Sequence, residues 1–102
     1  MSKKYHIEYL PVAQKDLIEI FQYILADSPS AAAELLDQID KSVSKLEDFP
    51  SMGMAAKDPR LMYLGYRILV VDNYLVFYVV LDNEVIEIRS IIHGKKKYDF
   101  LL

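Results

Sequence analysis

In the eight residues from Tyr74 to Leu81, YLVFYVVL, both alternating sets of side chains are apolar: Tyr74, Val76, Tyr78 and Val80 on one side, Leu75, Phe77, Val79 and Leu81 on the other. A strand with no polar side belongs in the middle of a sheet. It lies within a longer stretch, Tyr63 to Leu102, dense in Val, Ile, Leu, Tyr and Phe and broken at Asp72-Asn73 and Asp82-Asn83. Those polar pairs are the turns of consecutive antiparallel strands, so the core is expected to be a β-meander. Its first strand runs over Tyr66 to Val71. In its last strand Ile86, Ile88 and Ile92 share a buried side while Glu87 and Arg89 share a partly open one. The apolar pattern stops at His93-Gly94 and gives way to Lys95, Lys96, Lys97 and Tyr98. A histidine, a glycine and three positive charges thus sit where a buried strand meets solvent, and a working surface is expected there.

Upstream, Tyr5, Ile7 and Tyr9 alternate with His6 and Glu8, the period of two of a short strand with one wet face. Pro11 suits the first turn of a helix. Ala13, Leu17, Ile20, Phe21 and Ile24 then recur at helical spacing, with Lys15, Asp16, Glu19 and Gln22 on the other side, to an end near Asp27. Ser28-Pro29 provides a cap and a first helical position for a second helix over Pro29 to Asp48. Its stripe is Ala32, Leu35, Leu36, Ile39, Val43 and Leu46, and Pro50 follows its end. So short a link makes the two helices an antiparallel hairpin, and the sheet is the one apolar surface large enough to receive it. Ser51 to Pro59 is expected to be an irregular linker. The fold class is α+β, one domain over residues 1–102: an N-terminal strand, then a helical hairpin packed on an antiparallel meander.

Composition narrows the functional classes. The absence of cysteine removes disulfides and thiolate chemistry and suits a cytoplasmic protein. No segment approaches the roughly 20 apolar residues that span a bilayer, so no membrane partner is expected. A net charge of −3 argues against a broad nucleic-acid surface. Eight of the fifteen acidic residues fall between Asp16 and Asp48, far in sequence from the lysine run. His6 and His93 are the only histidines and Gly53, Gly65 and Gly94 the only glycines, so neither a metal constellation nor a glycine-rich phosphate loop is present, and no cofactor is expected.

The order strand, helical hairpin, linker, meander, together with Leu64-Gly65-Tyr66-Arg67, Tyr74-Leu75-Val76-Phe77-Tyr78 and Ile91-Ile92-His93-Gly94-Lys95-Lys96, resembles the RelE/ParE superfamily of bacterial type II toxins over nearly the whole chain. The resemblance implies a growth-inhibiting toxin, associated with plasmid stabilisation, held in a hetero-oligomer by a cognate antitoxin. It also implies one of two targets: the ribosome, where RelE-like members cleave mRNA, or DNA gyrase, which ParE-like members poison. Residue by residue, Arg67 matches the strand arginine that faces RNA phosphates in RelE-like toxins, and Arg60 falls where those toxins often carry a lysine. His93 matches the C-terminal histidine, Lys95 or Lys96 a further basic residue, and Tyr98 the C-terminal tyrosine. RelE-like members are usually strongly basic, whereas this chain is acidic and has Asp58 and Asp99 among the matched regions. That departure favours the ParE-like branch or a nuclease with a compact site.

Metal-independent RNA cleavage needs a base, cations for the developing phosphorane charge and an acid for the leaving oxygen. Arg67, His93, Lys95 and Tyr98 are the candidate catalytic residues for it, and Arg60, Arg89, Lys96 and Lys97 the candidate binding residues. Each has an ordinary structural alternative. His93 would be a strand end bonded to backbone, and Arg67 and Arg89 would pair with Glu87. Lys95 to Lys97 would be a solvated tail, and Tyr98, Phe100, Leu101 and Leu102 a terminal latch. The functional expectation requires the guanidinium, imidazole and ammonium groups to gather on the sheet face that the helices leave open.

Overall fold

The computed structural model describes residues 4–95. Strand β1 (His6–Tyr9) leads into α1 (Pro11–Leu25) and α2 (Pro29–Ser44). After them come β2 (Met54–Ala55), α3 (Pro59–Tyr63), β3 (Tyr66–Val71), β4 (Tyr74–Val80) and β5 (Val85–His93). The five strands form one sheet in the order β1-β5-β4-β3-β2. β4 is the middle strand, as its two apolar sides require. The meander pairs are antiparallel, while β1 joins β5 in parallel, His6 opposite Val85 through Tyr9 opposite Ile88. Among the described residues no helix is long and apolar enough to cross a membrane.

The helical hairpin covers one sheet face. Ala13 of α1 and Leu35, Ile39 and Val43 of α2 pack with Leu69, Val71, Val76, Tyr78, Ile86, Ile88 and Ile91 from the strands. Ser28 caps α2 by accepting from the Ala31 N–H at 3.3 Å. The second helix stops at Ser44, short of Asp48, and Lys45–Glu47 tightens into a 3-10 turn. Such tightening is a common helix ending, and it turns the chain ahead of Pro50. α1 likewise ends at Leu25, two residues before Asp27.

The stretch expected to be an irregular linker is partly ordered. Met54–Ala55 pairs with Ile68 and Arg67 at the edge of β3. The Asp58 carboxylate accepts from the Arg60 N–H at 2.9 Å, and Pro59 takes the first position of a five-residue helix. This segment lays Ala56 and Leu61 on the second sheet face, where they bury Tyr66, Phe77, Val79 and Ile92. The face opposite the hairpin is therefore partly covered rather than open. Asp72 turns the β3–β4 connection with φ 54°, a value aspartate adopts more readily than most residues. The next connection spans Leu81 to Glu84, wider than the Asp82-Asn83 pair, and closes with the Leu81 N–H donating to the Val85 carbonyl at 2.8 Å.

Candidate functional site

β5 decides where the candidate residues face. Ile86 and Ile88 point to the helices, and strict alternation would send Ile92 with them and His93 to the opposite side. Instead the β4–β5 register shifts between Phe77 and Tyr78, which oppose Ser90 and Ile88, so Arg89 is the extra residue of a bulge. Beyond it Ile91 joins the helix-side core and Ile92 the other. β5 also outruns β1, whose last partner is Ile88, so the Ile91 N–H has no strand beside it. Asp16 of α1 supplies the acceptor: its Oδ2 takes the Ile91 N–H at 2.9 Å and the buried Ser90 hydroxyl at 2.7 Å. Counted with the solvated side of its helix in the sequence, Asp16 in fact ties α1 to the bulge. The one signal for it was that a nine-residue strand cannot be matched along its length by a four-residue partner.

His93 stands opposite Tyr74 on the helix side, with the two rings edge to face at 5.4 Å. Its Nδ1 accepts the Lys95 N–H at 3.2 Å. It is the backbone-bonded strand end named above as its ordinary alternative. Lys95 is exposed beside it. Lys96, Lys97 and Tyr98, with the terminal latch, lie outside the described residues.

Arg67 is at the other end of the sheet and its guanidinium is occupied. Nε donates to the Gly53 carbonyl at 3.0 Å, and Nη2 donates to the Gly53 and Ser51 carbonyls at 2.6 and 2.9 Å. Beside it the Tyr78 hydroxyl, fully buried, donates to the Pro50 carbonyl at 2.8 Å and accepts from the Gly53 N–H at 2.9 Å. A Cβ at Gly53 would fall 2.8 Å from the Ile68 carbonyl oxygen, so only glycine lets the segment lie this close to the sheet. Arg67 and Tyr78 together pin residues 50–53, leaving Phe49, Met52 and Met54 exposed.

The other candidate cations among the described residues, Arg89 and Arg60, are elsewhere. Arg89 faces away from the helices, 5.5 Å over the Tyr66 ring, and pairs with Glu87 of its own strand at 2.8 Å. Burial works against its charge, but Tyr66 and Glu87 outweigh that and raise its pKa. Arg60 pairs with Asp58 at 3.0 Å, and its side chain holds that carboxyl below the usual carboxylate range. The gathering expected from the sequence is not what the fold produces. Arg67 stands opposite Tyr78 and His93 opposite Tyr74, so the two are four residues apart along β4, about 13 Å, with a strand between them. Arg89 is on the other face. Among the described residues no group of three or more His, Asp or Glu could hold a metal ion.

Two grooves remain. One, of about 530 Å³, runs between α1 and α2 over Leu17, Phe21, Leu36 and Ile39, with Tyr9, Asp37 and Asp40 at its rim. Burial, with Asp40 adding to it, pushes the Tyr9 phenol up to about 12. The other, of about 350 Å³, lies between α1 and the His93 end of the sheet.

The fold is shared with two solved assemblies. One is a chromosomal ParDE toxin–antitoxin system from P. aeruginosa, with a TM-score of 0.76 and 19% identity over 92% of this chain and 100% of that one. The other is the toxin–antitoxin complex RelBE2 from Mycobacterium tuberculosis, with a TM-score of 0.63 and 17% identity over 88% of this chain and 98% of that one. No curated protein matches at a significant level. The family model for the ParE toxin of type II toxin–antitoxin systems, parDE, matches residues 7–98, and the chain belongs to that family.

Proposed function

We propose that the protein acts in the ParE manner, arresting growth by binding DNA gyrase, and that a cognate antitoxin holds it inactive in a hetero-oligomer. The observation that carries this reading is the separation of Arg67 from His93 among the described candidate groups. A nuclease needs its base and its phosphate-holding cations within hydrogen-bond reach of one scissile bond. Here Arg67 is bonded to two backbone carbonyls, His93 is about 13 Å away along the sheet and Arg89 is on the opposite face. Binding a protein makes no such demand, since it needs only a shaped surface. The acidic balance of the chain points the same way, because the excess positive charge that drives phosphate binding is missing.

The antitoxin is proposed to lie in the groove between α1 and α2. An apolar floor of Leu17, Phe21 and Leu36 suits an amphipathic segment that folds as it binds, and Asp37 and Asp40 suit basic residues flanking its apolar face. The test sets two assays side by side on the purified protein. Inhibition of gyrase supercoiling with ribosome-bound transcripts left intact is the expected result. Cleavage of those transcripts that disappears in His93→Ala would instead establish the RelE-like reading, with Arg67, His93, Lys95 and Tyr98 as its catalytic candidates.

A further inference from the structure

The groove at the His93 end of the sheet has no part in the reading above. Its floor is Ile20 and Ile91, its walls are Tyr23 and Tyr74, and Asp16 and Glu19 stand at its edge. Oδ2 of Asp16 is taken by Ser90 and Ile91, so that carboxylate is fixed in place. Glu19 is only loosely paired, 4.0 Å from Lys15 on an exposed part of α1. Tyr23 is 81% exposed, so its ring is open to a partner. Burial, then Tyr23 and Asp72, raises the Tyr74 phenol pKa. Of these causes only the Asp72 carboxylate would also favour a cation, since burial opposes a charge of either sign.

We propose that this groove receives the guanidinium of an arginine carried on an extended segment of the antitoxin. Flat cations stack on tyrosine rings, and the planar fork of arginine also meets a carboxylate with two parallel N–H bonds, which a lysine ammonium cannot do. The groove lies near the small end of ligand sites, which span roughly 300 to 1,000 Å³, so it fits a side chain rather than a helix. The inference rests on the reading that the protein works bound to a partner protein, and it adds what part of the partner this end of the sheet takes.

The test titrates the full-length protein with N-acetyl-arginine amide while the side-chain resonances are followed by NMR. Saturable shifts of the Tyr23, Tyr74 and His93 rings and of the Ile20 and Ile91 methyls are expected. The uncharged citrulline analogue should give none, and Glu19→Gln should weaken binding about three-fold, the size of one partly exposed ion pair. Equal binding of the citrulline analogue or of butylammonium overturns the assignment, as do shifts confined to Asp37 and Asp40. So does an antitoxin affinity unchanged by Glu19→Lys. A protein that binds arginine here yet spares gyrase retains the groove assignment and loses the ParE reading, while a gyrase inhibitor with no arginine response loses only the groove.

Discussion

Three side chains carry more of this structure than their residue types suggest. Asp16 satisfies a strand N–H and a buried hydroxyl at once, and its removal would leave both without a partner in the core. Asp16→Ala is expected to lower the unfolding free energy in urea by about 2 kcal/mol. Ser90→Ala removes one donor along with its need and should cost less, with the two effects failing to add in the double variant. Tyr78 holds the Pro50 carbonyl and the Gly53 N–H through one buried oxygen. Tyr78→Phe should therefore cost about 2 kcal/mol despite keeping the ring, read as a lower urea midpoint at unchanged slope. Arg67 grips the same segment, and its guanidinium is spent on backbone carbonyls rather than presented to a ligand.

Among the elements, the bulge in β5 has the largest consequence, because one extra residue exchanges the two sides of everything after it. It brings His93 to α1 and sends Ile92 to the cluster under Leu61. The loop before β2 is held so close that a Cβ in Gly53→Ala would meet both the Ile68 carbonyl and the Tyr78 ring at 2.8 Å, and thermal unfolding should show a loss of about 2 kcal/mol or more. The β1–α1 junction adds a pH dependence. Tyr9 ionises near 12 in the folded protein, above the usual value near 10, since burial and Asp40 disfavour the phenolate. The unfolded chain therefore loses this proton first. The stabilising contribution is complete below about pH 10 and is lost as pH rises toward 12, by about 1 kcal/mol once its partial exposure is allowed for. Tyr9→Phe should flatten that part of the stability profile in alkaline urea melts.

At the scale of the molecule, the hairpin blankets one sheet face and β2 with α3 part of the other, with Arg67 and His93 four residues apart along the central strand. On the ParE reading proposed here, the protein needs a binding surface and no catalytic centre. His93→Ala should accordingly leave growth arrest on expression intact. Arg67→Ala should reduce it only as far as it lowers the amount of folded protein, measured by soluble yield and melting temperature together. Arg67→Ala that keeps its melting temperature yet abolishes growth arrest would mean that the arginine acts on the target directly.

The sequence by itself determined the layers. Period-two and helical spacings name the strands and the hairpin, the doubly apolar Tyr74–Leu81 run names the central strand, and Ser28-Pro29 names the break between helices. These are local signals, carried by residues a few positions apart. The bulge at Arg89, the acceptor role of Asp16 and the grip of Arg67 on residues 51–53 came only with the tertiary structure. The last two join residues distant in the chain, Asp16 and Ile91 by 75 positions, to satisfy polar groups that the sheet ladder leaves over. No local pattern records which backbone groups will be left over, because that depends on where neighbouring strands end. The side on which His93 falls was therefore fixed by the assembled sheet, whereas Arg89 lies beside Glu87 on the side that alternation names.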